Sequence, residues 1–404
     1  MLAHVDADSF FASALIRKRP HLRGKPLLAL GMGGGCVIAA TYEAKAFGVK
    51  TGMPLKDARK LVPHAIAIPA DFEEAGLASD QIEDMLKGQC PIVEQMSVDE
   101  WYLDLKALPG GYPANFRTWA LGIQRTVGSA TGITVSIGVG PTKTLAKMAG
   151  EYRKPAGVTV VDRIQSADVM DFESFLKDRP AAAVPGIGRK RTVHADAHGW
   201  ITAWDFARAN PQMVKSLFGK TGDELRRELN GEAVWPIVSK RALPKSVSRC
   251  RSFRSTRDPT ILFAHVLRHL EYTVLKMRRH ELACGGVSVW LRDGEYHSAA
   301  THESLAQLAN TEDEILPSTQ RCFGRIHQSS RAYTQTGLAL WGLHPVATKQ
   351  YSLFRKPESI DQEEELQRAL DKVHVRFGRN AISRGSAMPV KSGTKRTLDI
   401  AEAM

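Results

Sequence analysis

The sequence predicts a multidomain chain that combines α/β and α+β parts. Three observations predict it. At 404 residues the chain exceeds one ordinary hydrophobic core, so roughly two to four domains are expected. Residues 1–165 alternate short apolar strands with helical stretches, and residues 166–235 change to short helices with glycine turns. Residues 240–345 then start a second α/β module, and residues 346–404 form a polar tail.

In chain order, Leu2 to Asp6 reads as a short strand. A helix starts at Phe10, runs to Ile16 and is ended by Lys18 to Pro20, since proline cannot continue a helix. Pro26 to Leu30 is a second strand, followed by a turn rich in glycine (Gly31, Gly33, Gly34, Gly35), and Cys36 to Ala39 is a third. Leu55 to Leu61 is a small helix closed by Pro63. Ile92 to Leu105 reads as two strands joined by a tight turn. Gly132 to Gly138 alternates Ile133, Val135 and Ile137 with Thr134 and Ser136, the period of a strand, and a helix follows over Thr142 to Glu151. Later helices are expected near Trp204 to Ala209 and Val214 to Phe218. In the second module Val247, Arg249, Arg251 and Phe253 alternate with Ser246, Ser248, Cys250 and Ser252, a strand with one cationic face. Leu262, Val266, Leu270, Val274 and Met277 form the apolar stripe of a helix, and Val287 to Leu291 is another strand. The alternation of strands and helices predicts a split βαβ sheet. Glu363 to Val375 is a possible tail helix.

Composition narrows the function. Apolar residues make up 43% and charged residues 24%, which fits a soluble globular protein. No apolar run reaches the ~20 residues of a membrane span, and Asp6 and Asp8 interrupt the apolar N-terminal stretch, so neither membrane nor secretory signal is expected. The net charge of +12 and pI near 9.5 favour polyanionic partners. The cysteines, Cys36, Cys90, Cys250, Cys284 and Cys322, are odd in number and widely spaced. That argues against a disulfide scaffold or clustered zinc and suits a reducing cytoplasm.

Two acid pairs lie in apolar or small-residue surroundings: Asp6 and Asp8 in His4-Val5-Asp6-Ala7-Asp8-Ser9-Phe10-Phe11, and Asp99 and Glu100 in Met96-Ser97-Val98-Asp99-Glu100-Trp101-Tyr102-Leu103-Asp104-Leu105. Carboxylates are costly to bury unless paired or bound to metal. A divalent-metal site for phosphoryl transfer is one reading. The other is that the acids cap helices, with Asp8 as N-cap before Phe10.

These two segments resemble the acidic motifs of the Y-family DNA polymerases, the translesion enzymes, and the resemblance extends from residue 2 to about 380. It implies a right-hand polymerase: palm at 1–10 and 70–165, small fingers at 11–69, helical thumb with a helix-hairpin-helix at 166–235, split βαβ little finger at 240–345, and a C-terminal tail at 346–404. It further implies two magnesium ions, with manganese able to substitute, held by Asp6, Asp99, Glu100 and the backbone carbonyl of Ala7. Asp8 matches a family acid that is not a principal ligand. Trp101 replaces the small residue usual there, and local repacking is expected.

Tyr42-Glu43-Ala44-Lys45 resembles the fingers motif that contacts the triphosphate of a deoxynucleotide, through Tyr42 and Lys45. Lysine replaces the commoner arginine and loses its bidentate fork. The plain alternative is a helix face with Tyr42 packed and Lys45 in solvent. Ser136 to Lys147 followed by Arg153-Lys154-Pro155 is another family signature, in which Lys154 matches a triphosphate-binding lysine. Lys143 and Lys147 are assigned to nearby structure or backbone contacts, and Gly138 and Gly140 lack the full nucleotide-loop pattern. Phe11 matches the steric gate against a ribose 2′-hydroxyl, with Phe10 beside it.

For primer-template DNA, Val184-Pro185-Gly186-Ile187-Gly188-Arg189-Lys190 resembles a hairpin whose backbone approaches phosphate at Gly186 and Gly188, with charge from Arg189 and Lys190. A simple turn is the alternative. Arg249 and Arg251 are the expected little-finger phosphate contacts, unless the strand is only a basic edge. Gln350-Tyr351-Ser352-Leu353-Phe354 resembles the peptide that docks on the sliding clamp, through Gln350, Leu353 and Phe354. Several segments, among them Arg249-Cys250-Arg251-Ser252-Phe253 and Arg376-Phe377-Gly378, lean toward the polymerase V catalytic subunit. That likeness implies an accessory subunit and a recombinase filament as partners, in a cytoplasmic, nucleoid-associated setting. The function implied is error-prone, template-directed translesion synthesis. The alternative is a catalytically silent DNA- and clamp-binding adaptor, which the retained Asp6, Asp99 and Glu100 disfavour.

Overall fold

The structure is a computed structural model that describes residues 1–31, 34–163, 168–239, 243–348, 357–377 and 381–388. The chain divides into two compact units, Met1–Arg241 and Ala242–Met404.

The first unit carries, in chain order, strands β1 (Leu2–Ala7), β2 (Leu27–Leu30), β3 (Val37–Ala40), β4 (Ile66–Pro69), β5 (Val93–Gln95), β6 (Glu100–Asp104), β7 (Val135–Gly140), β8 (Val158–Asp162) and β9 (Met170–Asp171). Its helices are α1 (Phe10–Lys18), α2 (Tyr42–Lys45), α3 (Leu55–Leu61), α4 (Phe72–Gln89), α5 (Phe116–Thr131), α6 (Lys143–Tyr152), α7 (Phe172–Asp178), α8 (Arg189–Ala197), α9 (Ala203–Arg208) and α10 (Pro211–Leu229). A central sheet has the order β5-β6-β1-β7-β8-β9, and a small sheet has the order β3-β2-β4.

Alternation gives the central sheet two unlike faces. Ala3, Val5, Trp101, Leu103, Ile137 and Val139 point into a core shared with Ile82 and Leu86 of α4 and Ile123 and Val127 of α5. The other face carries His4, Asp6, Glu100, Tyr102, Ser136 and Gly138, which the antiparallel registers β1–β6 and β1–β7 bring side by side. Helix α6 covers part of that face. Side-chain caps from Asp71, Asn115 and Thr142 begin α4, α5 and α6 by accepting backbone N–H groups.

Several expectations shift. The strand expected over Gly132 to Gly138 begins only at Val135, because Gly132 (φ 70°) is the left-handed stop of α5. Asp8 caps nothing: the residue before α1 is Ser9, itself left-handed (φ 48°) and without a capping side chain. Met170–Asp171 joins the central sheet beyond the expected edge at residue 165. The helix expected at Val214 to Phe218 is one end of α10, which kinks at Gly219 (φ 69°).

The second unit contains strands β10 (Ser246–Thr256), β11 (Leu282–Asp293), β12 (Ser298–Ala309) and β13 (Tyr333–Pro345), with helices α11 (Pro259–Arg279), α12 (Glu312–Ile326) and α13 (Pro357–Phe377). The order β10-β13-β11-β12 is antiparallel throughout. β10 and β11 therefore run parallel with β13 between them, and β12 and β13 run parallel with β11 between them. The split βαβ expectation is thus met twice. β12 escaped sequence reading because small and polar residues occupy both of its faces, so no apolar period marks it.

Arg249 and Arg251 lie on the face of β10 that begins at Val247. Val247 on the same face is 3% exposed, so this face looks onto α11 and not away from it. The Arg249 guanidinium lies 4.3 Å from the Tyr272 ring, and Phe253 stacks on His265 at 4.1 Å. The exposed side of β10 carries Ser246, Ser248, Cys250 and Ser252. The tail also differs from a free polar segment. Arg278 pairs with Asp371 at 2.7 Å, and Arg384 reaches Glu312 at 2.8 Å and Asp313 at 2.6 Å. The candidate clamp peptide, with Gln350, Leu353 and Phe354, lies outside the described residues.

Burial lowers His265 to about 4 and His269 to about 3, and nearby arginines reinforce both shifts. Both rings are neutral in the folded unit and gain protons on unfolding once the pH drops below the ordinary value of 6.5. Their contribution is complete above that value and is lost as the pH falls toward about 4. Thermal unfolding followed from neutral pH to about pH 5 should show the second unit melting progressively earlier. His265→Phe, which keeps a ring on Phe253, should make that decline shallower.

Candidate active site

Asp6 and Glu100 face each other directly across β1 and β6. His4, one turn of the pleat away, completes a group whose ligand atoms lie within 4.8 Å of one another. Lys154 Nζ is 2.7 Å from Asp6 Oδ1, and Lys147 Nζ is 2.5 Å from Glu100 Oε1. Burial pushes the Asp6 carboxyl up, while the Lys154 charge opposes that push. Burial pulls Lys154 down, but Asp6 and Glu151 outweigh it and hold the amine above its ordinary value. We read the pair as carboxylate and ammonium, because neutralising one partner would strand the other in a poorly hydrated site.

His4 is fully buried, and burial together with Lys147 and Lys154 drives it well below its ordinary value. Its 3.8 Å approach to Glu100 is therefore a contact of a neutral ring and not an ion pair. Neither ring nitrogen has a hydrogen-bond partner. Asp99 lies outside this cluster. Its backbone oxygen accepts from Ala7 N at 2.9 Å, and its carboxylate accepts from Ser97 Oγ at 2.5 Å. Hard carboxylate oxygens on adjoining strands suit a divalent cation. The two lysines show that positive charge is already drawn to Asp6 and Glu100, so these residues fit such an ion.

Trp101 points away from these acids into the opposite core, where it is fully buried.

The side chains expected to hold a triphosphate gather around the first acidic segment. Tyr42 OH donates to Asp8 Oδ1 at 3.3 Å, and Lys45 Nζ donates to Ser9 Oγ at 2.9 Å. Lys45 also lies 4.2 Å from the Tyr42 ring centre. Neither follows the plain alternative of a packed ring and a solvated amine. Phe11 is half-buried, edge-on to Phe72 at 5.3 Å. Phe10 is 2% exposed in the core, so it backs Phe11 and offers no face to a ligand. That corrects its assignment as a nucleotide contact.

Residues 5–151 match the impB/mucB/samB family, and residues 244–353 match that family's C-terminal domain. A DNA polymerase IV of Moorella thermoacetica is 30% identical over 95% of this chain and 95% of its own length. The chain belongs to the Y-family of DNA polymerases. A second DNA polymerase IV, from Methanoculleus marisnigri, is 33% identical over 75% of this chain and 82% of its own. Protein SamB of Salmonella typhimurium is 28% identical over 93% and 90%. The identities to the polymerase IV and SamB sequences are too alike to separate subgroups. Among solved structures, a Y-family DNA polymerase chimera shares the fold with a TM-score of 0.72 at 24% identity, covering 85% of this chain and 99% of its own. Membership implies a divalent metal cofactor, and the adaptor reading is not favoured.

Elsewhere in this Y-family chain, residues 184–190 form a turn and the start of α8. Gly186 takes φ 96°, Ile187 is buried, and Gly188 begins α8. Gly186, Gly188, Arg189 and Lys190 are exposed. No helix among the described residues is long and apolar enough to cross a membrane. Sequence reading underrated three residues. Lys147 reaches Glu100 instead of serving only nearby structure. His4 was visible as Asp6's neighbour two positions earlier on the strand. Asp8 is 2% exposed, yet it binds Ser136, Tyr42 and Ala156, and partners so distant in sequence leave no local signal.

Proposed function

We propose that this polymerase performs error-prone, template-directed synthesis across damaged DNA by two-metal nucleotidyl transfer. The observation that carries the reading is the direct pairing of Asp6 with Glu100 on one sheet face, with Lys154 on Asp6 and with Tyr42 and Lys45 on the neighbouring Asp8 and Ser9. Asp6, the Ala7 carbonyl, Asp99 and Glu100 would hold two magnesium ions, or manganese in their place. Such ions supply charge that lowers the pKa of the primer 3′-hydroxyl and neutralises the triphosphate. The protein contributes position and charge, not a covalent nucleophile.

Lys154 and Lys45 exchange their present partners, Asp6 and Ser9, for triphosphate oxygens. Tyr42 adds a hydroxyl to the same cradle. Phe11 lies where a rigid ring would meet a ribose 2′-hydroxyl, with Phe10 fixing it from behind. Gly186, Gly188, Arg189 and Lys190 grip the DNA backbone without reading sequence. Arg249 and Arg251, half-buried beside α11, contact DNA phosphates from that edge strand. Gln350, Leu353 and Phe354 dock the sliding clamp, and an accessory subunit and recombinase filament are further partners. The setting is the cytoplasm, at the nucleoid.

The test is primer extension by the purified chain with magnesium and four deoxynucleotides, on intact and abasic templates, beside Asp99→Ala. Extension on both templates, lost in the variant with DNA binding retained, is the expected result. Extension indifferent to Asp99 would remove the two-metal mechanism. A wild-type chain that binds DNA and clamp but never extends would restore the adaptor.

A further inference from the structure

Asp8 is the most heavily bonded carboxylate in this region, and it has no part in the chemistry described so far. It is 2% exposed. Oδ1 accepts from Ser136 Oγ at 2.8 Å and from Tyr42 OH at 3.3 Å, and Oδ2 accepts from the Ala156 N–H at 2.9 Å. These donors come from three separate places: strand β7, helix α2, and the loop that follows Lys154. Ser13 Oγ also donates to the Asp8 backbone carbonyl at 2.6 Å. Two left-handed non-glycine residues adjoin the carboxylate, Ser9 at φ 48° and Ala156 at φ 53°. Such backbone persists only where surrounding bonds hold it.

We infer that Asp8 is a positioning residue for the incoming nucleotide: its carboxylate fixes the Tyr42 hydroxyl and the backbone after Lys154, so that both sides of the triphosphate cradle are set before substrate arrives. This rests on the proposed polymerase function. The geometry explains why a carboxylate stands there. Three donors converge on it, and an ionised carboxyl is an acceptor at every lone pair. An asparagine can serve both the Ser136–Tyr42 side and the Ala156 side only by turning its amide toward the two hydroxyls, which must then accept instead of donate, and it lacks the charge that holds all three donors. Alanine serves neither. Asp8 is bonded both to Tyr42 and to the residue two positions beyond Lys154. Loss of Asp8 therefore loosens the two grips together, while the acids that would hold metal keep their own partners.

The experiment measures five quantities for the wild-type chain, Asp8→Asn, Asp8→Ala, Tyr42→Phe and Asp8→Asn/Tyr42→Phe. They are KM and kcat for single-nucleotide extension, deoxynucleotide affinity for the complex with a 3′-dideoxy primer, DNA affinity, and thermal midpoint. Asp8→Asn should raise KM and weaken nucleotide affinity about tenfold, the size of one lost charged hydrogen bond, with kcat and DNA affinity little changed. Asp8→Ala should be worse. Because part of the effect passes through the Tyr42 hydroxyl, the double variant should lose less than the product of the single losses. Unchanged KM and nucleotide affinity in Asp8→Asn would overturn the inference, as would a fall in kcat, DNA affinity and melting temperature together with KM unmoved. If Asp8→Ala does not fold, Asp8→Asn decides alone. A wild-type chain that cannot extend a primer overturns the polymerase reading and this inference with it, whereas normal wild-type extension with an indifferent Asp8→Asn overturns the inference only.

Discussion

Asp6→Asn should slow single-turnover primer extension by about a thousandfold or more, since a carboxylate holding a catalytic metal accounts for several kcal/mol and each 1.36 kcal/mol is tenfold in rate. The substitution is chosen for its economy of change. Asparagine has the size of aspartate and can still accept from Lys154, whose Nζ now sits 2.7 Å from Asp6 Oδ1. What it lacks is the charge. Glu100 lies opposite on β6 and keeps Lys147, so the second carboxylate stays in place and the defect is confined to one ligand. Lys154 also retains Glu151 at 2.9 Å, which limits the cost of losing its other acid. The melting temperature should change by only a few degrees, and DNA affinity should hold because Gly186, Gly188, Arg189 and Lys190 are untouched. Rates measured with saturating DNA and magnesium test this. Extension within tenfold of wild type would exclude Asp6 as a metal ligand in the reaction.

The sequence made some of this architecture plain and hid other parts for definite reasons. Leu55–Leu61 was readable to the residue because a helical run ends at a proline-bounded turn. The acid pair at the start of β6, with Asp99 just before the strand and Glu100 its first residue, was readable because charged residues beside an apolar run demand a reason. Alternation put the arginines of β10 on one face but could not tell which face is covered. Val247 decides that question, since one apolar residue at the start of the face binds it to α11. The alternative that made Asp8 an N-cap fails for a similar reason. Its short polar side chain before a helix carries the local signature of an N-cap, while its real donors, Ser136 and Ala156, are brought in by the β1–β7 pairing and by the chain after α6. Tertiary pairing overrode a local preference there, as it did at Lys147.

The largest expected structural effect comes from Gly138→Ala. Gly138 sits on β7 opposite His4, on the face covered by α6. A Cβ added there would lie 2.0 Å from the Ala146 carbonyl oxygen and 2.1 Å from the Gly150 nitrogen. Both are backbone atoms of α6, so no side-chain rotation relieves the clash and the helix itself must lift from the sheet. This is the reason for the glycine: strand and helix touch backbone to backbone, which is a packing contact and not a phosphate loop. Overpacking a core commonly costs about 1–3 kcal/mol and more where backbone must move. The melting transition of the first unit should fall by roughly 6–12 °C for a cost near 3 kcal/mol. Gly140→Ala should be milder, because its nearest atom, Ala146 N, would be 2.9 Å away. The damage should also reach the chemistry. α6 carries Lys147, which holds Glu100, and leads into Lys154 and Ala156, which hold Asp6 and Asp8. A lifted helix misplaces all three, so activity should be lost well below the temperature at which the variant unfolds. The second unit should melt as in wild type, which serves as the internal control. A Gly138→Ala protein with an unchanged melting temperature would mean that α6 does not lie on β7 as described.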